Sequence, residues 1–459
     1  MTHATTIVAI STPHGRGAIA VVRMSGAESL SLIYKHLVRK SLSPNHATYC
    51  TYQVDGQPLD EVVATYFAAP HSYTGEDMVE ISCHGSLYIQ QRLLQSLLDD
   101  GCQMAAAGEF TQRAFLNGRL DLSQAEAVAD LIDSTNQAAH HLAISQMRGG
   151  YRARLKSLRE RFVELTSLLE LELDFSDEEV EFADRKKLQN LLDELTTECS
   201  RLAATFSTGN AIKQGVPVAI VGKPNVGKST LLNALLCDDR AIVSDIPGTT
   251  RDTIEDTLIL SGTLFRIIDT AGLRQSADPI EAAGIQRSHQ AAQKADIVLL
   301  IIDNALTDTE KDHEIESLRQ QIDLDGKRLI VVYNKCDISS ADTSTLPFPG
   351  THTPEDNIQY CSISAKYGDG IGQLKEMIAS SFTPATPDEP LVTNLRHYQA
   401  LTHIVEACDH VKEGFLQQLP ADLIVIDLRD ALYHLGTITG EVVTDEILST
   451  IFSRFCIGK

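Results

Sequence analysis

Residues 222–229 read GKPNVGKS, and this octet constrains the fold more than any other stretch of the chain. It fits G-x-x-x-x-G-K-[ST]: glycines let the backbone curl so that amide N–H groups converge on an anion, a lysine charges the outer phosphates, and a hydroxyl meets magnesium. The pattern has meaning only between a strand and a helix. Here residues 217–221 (PVAIV) have the character of a buried parallel strand, and residues 229–236 (STLLNALL) continue with good helix formers. The dipole and free N–H groups of that helix favour the same anion. The expected phosphate-side contacts are Asn225, Val226, Gly227, Lys228, Ser229 and Thr230.

At 459 residues the chain exceeds one compact core and suggests about three units. No apolar run approaches a membrane span, and the opening MTHATTIVAISTPHG lacks a basic region ahead of an apolar core, so a cytoplasmic protein is expected. Nine cysteines without a C-x-x-C pair argue against a zinc ribbon or a thioredoxin-type centre and for buried thiols. A formal net charge of -23 opposes a broad grip on nucleic acid, so any RNA contact must be local.

Residues 1–118 mix strand-like runs (TIVAI, AIAVVRM, EVVATYFA, MVEIS) with glycine turns and one helical stretch, YIQQRLLQSLL, predicting an α+β domain. Residues 119–214 read as helical: Ser123 and Glu126 form S-x-x-E, a capping box, followed by a proline-free run to Met147. Arg148, Arg152, Arg154, Lys156, Arg159 and Arg161 then precede an acidic stretch, which fits either a solvated helix face or a local RNA contact. Residues 215–382 alternate apolar strands with helices, predicting a parallel sheet covered on both faces. After a proline-rich linker, residues 383–459 are helical again. The simplest architecture is one helical domain built from both flanks, with the nucleotide domain inserted into it.

Three further elements select the nucleotide. Asp269, Thr270, Ala271 and Gly272 give D-x-x-G, a carboxylate for the magnesium shell and a glycine N–H for the γ-phosphate. Asn334, Lys335, Cys336 and Asp337 give N-K-x-D; Asp337 can accept both N–H donors of guanine, and Lys335 can lay its stem along the base. Ser364, Ala365 and Lys366 offer a backbone N–H to the guanine oxygen. Together these point to GTP and to a Ras-like P-loop domain. The first switch belongs at Ser244, Asp245, Ile246, Pro247, Gly248, Thr249 and Thr250, where the two threonines compete for magnesium and Thr250 is preferred. Leu273 replaces the glutamine that orients water in Ras-type proteins. Arg274, or Glu281 acting through a bridging water, can take that task, and a potassium ion on Asn225 can supply the charge of an arginine finger.

With SYTGEDMVEISCHG, GEFTQRAFLNGRLDLSQAEAVADLI, IPGTTRD, DTAGLR and the closing CIGK added, the chain resembles the MnmE (TrmE) family of tRNA-modification GTPases over essentially its whole length. The resemblance implies an α+β N-terminal domain that binds a 5-formyl- or methylene-tetrahydrofolate and forms a homodimer, a discontinuous helical domain, and an inserted G domain. It implies a heterotetramer with an MnmG-type flavoprotein, FAD residing on that partner. The pair adds a carboxymethylaminomethyl or aminomethyl group to C5 of the wobble uridine of certain tRNAs, with potassium-stimulated GTP hydrolysis.

Carried over, potassium falls on Asn225, Ser244, Ile246 and Thr249, magnesium on Ser229 and Thr250, and the base-like carboxylate on Glu281. Folate contacts fall on Arg23, Glu80, Arg119 and Lys459; Arg119 stands where members commonly have lysine, which changes the donor geometry. Cys456 is either a group near the folate or a buried thiol. The competing class is a regulatory GTPase that times ribosome or membrane assembly without acting on RNA.

Overall fold

The computed structural model describes residues 5–38, 41–174, 185–239, 256–268, 290–338, 358–382, 390–453 and 455–458. Two compact units emerge: Met1–Ile132, Gln146–Ser200 and Gln399–Lys459 form one, Asp133–Ser145 and Arg201–Tyr398 the other. No helix among the described residues is long and apolar enough to cross a membrane.

The first unit contains a six-stranded sheet in the order β3-β4-β5-β2-β1-β6, with β1 Ile7–Ile10, β2 Ile19–Ser25, β3 Ala47–Val54, β4 Gln57–Phe67, β5 Met78–His84 and β6 Gln103–Met104. Every neighbouring pair is antiparallel except β1 with β6. Along β2, Ala20, Val22 and Met24 alternate inward and pack with Ile33, Val62, Ile81, Leu93 and Leu97 beneath the helices Ser29–His36 and Leu87–Asp99. Asp55 and Gly56, both at positive φ, close the β3–β4 hairpin, as a two-residue D-G turn requires.

The rest of this unit is helical. In Gly150–Asp174, Leu155, Leu158, Phe162, Leu165 and Leu169 form the buried stripe of a 3.6-residue repeat. The helix Leu122–Asp133 corrects the predicted cap. Asp121 Oδ1 accepts from Gln124 N at 2.8 Å, while Asp121 N donates back to Gln124 Oε1 at 3.1 Å; Ser123 is buried inside the helix and also donates to Asp121. The box is therefore D-x-x-Q, two residues earlier, because Asp121 lies just outside the first turn, where its carboxylate faces the third amide, whereas Ser123 is already inside the helix. The run to Met147 is also broken: a second helix, Gln137–Met147, most of which falls in the second unit, starts where Asn136 Oδ1 accepts from Ala139 N. Apart from the exposed Arg148, the basic row is bound internally, with Arg152 on Asp121, Arg154 on Glu198, Lys156 near Glu160, Arg159 on Glu441 and Arg161 on Glu194 and Glu198. This favours the solvated, ion-paired face over an RNA contact.

The second unit is built on a sheet in the order β12-β11-β10-β7-β9-β8: β7 Val216–Val221, β8 Asp256–Leu260, β9 Thr263–Ile268, β10 Ile297–Asp303, β11 Arg328–Asn334 and β12 Ile358–Ser362. It is parallel except for the edge strand β8, which pairs antiparallel with β9. Val218, Ile220, Leu299 and Ile301 enter one core with Leu231, Leu235 and Leu374, whereas Ala219, Val221, Val298 and Leu300 enter another with Ile315 and Leu318. Alternate residues of one strand thus feed two cores, which is why these strands read as unbroken apolar runs. β7 lies between β9 and β10, the strand-order reversal where α/β sheets bind ligands beyond their carboxyl ends.

Candidate functional site

The loop after β7 enters the helix Lys228–Asp239 directly, and its backbone explains its sequence. Gly222 stands at φ +145, where a Cβ would lie 2.4 Å from Ile301 O; Gly227 stands at φ +100, where a Cβ would lie 2.3 Å from Asn334 Nδ2. Asn225 takes a positive φ of 62° and is exposed, a conformation asparagine tolerates better than most residues. Lys228 Nζ donates to the carbonyls of Gly222 at 2.6 Å and Lys223 at 2.7 Å, which leaves its third N–H for another acceptor. Burial lowers the Lys228 pKa from its ordinary value. Ser229, half-buried, and Thr230, exposed, follow in the first turn, and Val226 is buried.

Asn334, at the end of β11, ties this loop to the next. Its Nδ2 donates to Val226 O at 2.8 Å and its Oδ1 accepts from Ala365 N at 3.0 Å. Lys335, at φ +67, donates from Nζ to Asp303 Oδ2 at 2.7 Å. Asp337 is exposed and accepts from Ser364 Oγ at 2.6 Å. Ser364 N is used by Asp369 O and Ala365 N by Asn334, so within the triplet Lys366 keeps the N–H not engaged among the described residues. Asn225 to Thr230, Asn334, Lys335, Asp337 and Ser364 to Lys366 thus converge at the carboxyl ends of β7, β11 and β12. Ser244, Asp245, Ile246, Pro247, Gly248, Thr249, Thr250, Asp269, Thr270, Ala271, Gly272, Leu273, Arg274 and Glu281 lie outside the described residues.

The first unit holds a second polar cluster. Arg23 and Glu80 face each other in register on β2 and β5, and Arg23 Nε donates to Glu80 Oε1 at 2.9 Å. The Arg23 guanidinium lies 5.5 Å from the Tyr73 ring and 5.7 Å from Phe110, and its Nη1 donates to Gly458 O at 3.4 Å. The CIGK segment reaches it because Ile457 bridges Ala107, while Gly458, at φ +96, also accepts from Ser11 Oγ. Arg119 is exposed, with its stem beside Gly75 on the loop that carries Tyr73. Cys456 is exposed, not a buried thiol, because the segment runs along the surface with its carbonyl toward Gly108 N. Lys459 lies outside the described residues.

The supports of these sites carry no signal of their own in the sequence. Arg113, 2% exposed, binds Glu76, Glu109 and Thr5, and so anchors the 72–76 loop; Tyr73, Phe110 and Arg113 sit inside SYTGED and GEFTQRAF, motifs that carry no role for them at sequence level. Asp303 lies in no motif, and only its place at the end of an apolar run could have drawn notice.

A mostly parallel sheet with a phosphate loop at its strand-order reversal, stitched by Asn334 to an N-K-x-D strand end, defines a P-loop guanine-nucleotide-binding protein. Residues 6–119 match the model of the GTP-binding protein TrmE N-terminus, and residues 122–456 that of the MnmE helical domain. The tRNA modification GTPase MnmE of Parabacteroides distasonis is 51% identical over 99% of this chain and 100% of its own length. That of Flavobacterium johnsoniae is 49% identical over 99% of each, and that of Christiangramia forsetii 45% identical over 99% of each. The chain belongs to the MnmE family.

Proposed function

We propose that this chain hydrolyses GTP in the service of tRNA modification. With an MnmG-type flavoprotein it adds a carboxymethylaminomethyl or aminomethyl group to C5 of the wobble uridine, using a tetrahydrofolate one-carbon unit. One observation carries the reading: in addition to the nucleotide pocket, the same chain builds a second site, the Arg23–Glu80 pair, with the Arg23 guanidinium near the Tyr73 and Phe110 rings and bonded to Gly458. A GTPase that only times assembly has no use for such a site.

Donor chemistry supports the ions and the cofactor. The Ser229 hydroxyl and the Asn225 side chain make no hydrogen bond among the described residues and are hard oxygen donors, suited to magnesium and potassium respectively. Magnesium would be completed by Thr250, and potassium by Ser244, Ile246 and Thr249. When bound, these cations neutralise charge on the transferring phosphoryl group. Glu281 or Arg274 orients the attacking water. A carboxylate for ring N–H donors (Glu80), a cation near two aromatic rings (Arg23) and an outer cation for a carboxylate tail (Arg119) suit a folate, with Lys459 as a further cation. When bound, the folate supplies the one-carbon unit. The first unit would also form the homodimer.

Mass spectrometry of tRNA nucleosides from cells lacking the protein tests the reading. Loss of the modified wobble uridine is expected, and an unchanged profile overturns it. Hydrolysis faster in potassium than in sodium is expected; equal rates remove the potassium assignment.

A further inference from the structure

Asp303 belongs to none of the nucleotide motifs, yet both of its carboxylate oxygens are committed beside them. It closes β10 and pairs in register with Asn334, which closes β11. Oδ2 accepts from Lys335 Nζ at 2.7 Å, and Oδ1 accepts from Ala305 N at 3.0 Å. The turn that follows is held twice more: Asn304 N donates to Asn334 O at 2.9 Å, and Asn304 Oδ1 accepts from Lys311 Nζ at 3.2 Å. Lys311 is itself buried, with its ammonium 5.2 Å from the Tyr333 ring. Burial pushes the Asp303 pKa up, but the Lys335 hydrogen bond and the Ala305 amide outweigh it and hold the group below its ordinary value, so the carboxylate is charged at neutral pH.

The consequence concerns Lys335. Its backbone is set at φ +67 and its ammonium is tethered, so the four-carbon stem between them is fixed at both ends. A lysine stem that is free in solution loses rotamer freedom when a base docks on it; one already tethered has lost that freedom in folding.

We propose that Asp303 is a positioning residue for guanine-nucleotide binding, which holds the Lys335 ammonium so that the lysine stem is preset as the surface on which the base docks. This rests on the reading that Lys335 meets the base. Asp303 touches no substrate atom and acts through Lys335 alone.

The test is a titration of the full chain with fluorescent GDP, comparing Asp303→Asn, Lys335→Met and the double variant. Asp303→Asn keeps an oxygen for Ala305 N and loses the ion pair, and is expected to weaken GDP up to about tenfold, the scale of ordering one freed lysine stem when the base docks. Lys335→Met should weaken GDP at least as much. Adding Asp303→Asn to it should cost less than about twofold, because the two act as one unit. With saturating GTP, the kcat of Asp303→Asn should stay within about twofold while KM rises, and Asp303→Glu should recover part of the affinity. Wild-type affinity in Lys335→Met overturns the reading of Lys335 and the inference with it. A loss in Lys335→Met with none in Asp303→Asn, or fully additive losses, overturns the inference alone.

Discussion

Replacing Gly227 with alanine should disable the nucleotide pocket by a route that runs through Asn334. Gly227 has φ +100, so a side chain there meets the strain of a left-handed backbone, about 1–2 kcal/mol. The new Cβ would also lie 2.3 Å from Asn334 Nδ2, inside contact distance, with Asn334 Cγ at 3.6 Å. The amide must swing away, and it then gives up its bonds to Val226 O and Ala365 N, each worth about 1 kcal/mol net. The sum is about 3–4 kcal/mol, or roughly two to three powers of ten in GDP affinity. Titration with fluorescent GDP gives the loss directly. The same substitution on an Asn334→Ala background removes the clash and should cost only the backbone strain, about 1–2 kcal/mol. Gly227→Ala binding GDP within about threefold of the parent, or a cost undiminished without Asn334, refutes the route through Asn334.

Gly458→Ala places a Cβ 2.4 Å from Ile10 O at φ +96, so the 456–458 segment must lift from Arg23; binding of 5-formyl-tetrahydrofolate measured by calorimetry should weaken about tenfold, with GDP affinity unchanged. His434 should make the first unit acid-sensitive. Burial lowers its pKa below 6.5 and the His403 ring stacked at 4.8 Å adds to this, against the opposing Asp430 and Glu406; Tyr433 lies edge-on beside it. A base depressed in the folded state takes up its proton first when unfolded, so its stabilising contribution is present above the unfolded value and is lost as pH falls. The fall in melting temperature from about pH 7.5 to about pH 5.5 should be smaller in His434→Gln.

The features legible in the sequence were those with a local cause. Residues 217–236 declared strand, loop and helix because the glycines, the lysine and the apolar run act on their own neighbours. The period-2 pattern of β2 likewise marked one buried face. What escaped depended on partners far along the chain. β3 buries only Cys50 and Tyr52 and β8 only Leu258 and Leu260, an alternation too short to stand out, and the D-G and S-G turns then join them to β4 and β9. At residue 121 two cap patterns overlap, and the choice between Ser123 and Asp121 is made by which oxygen reaches the third amide. Asp303 and Arg113 became visible only when the fold brought Lys335 and Glu76 to them.

The hydrogen bond from Ser11 to Gly458 joins residues 447 positions apart. At translation speeds of 5–20 residues per second, roughly 20–90 s separate the synthesis of its two halves. Throughout that interval the strands that present Arg23 and Glu80 can already be paired, while the carbonyl that Arg23 will meet does not yet exist. The Arg23 site is therefore among the last parts of the molecule to be finished, and a nascent chain stalled anywhere in the nucleotide-binding unit carries the sheet without the closure.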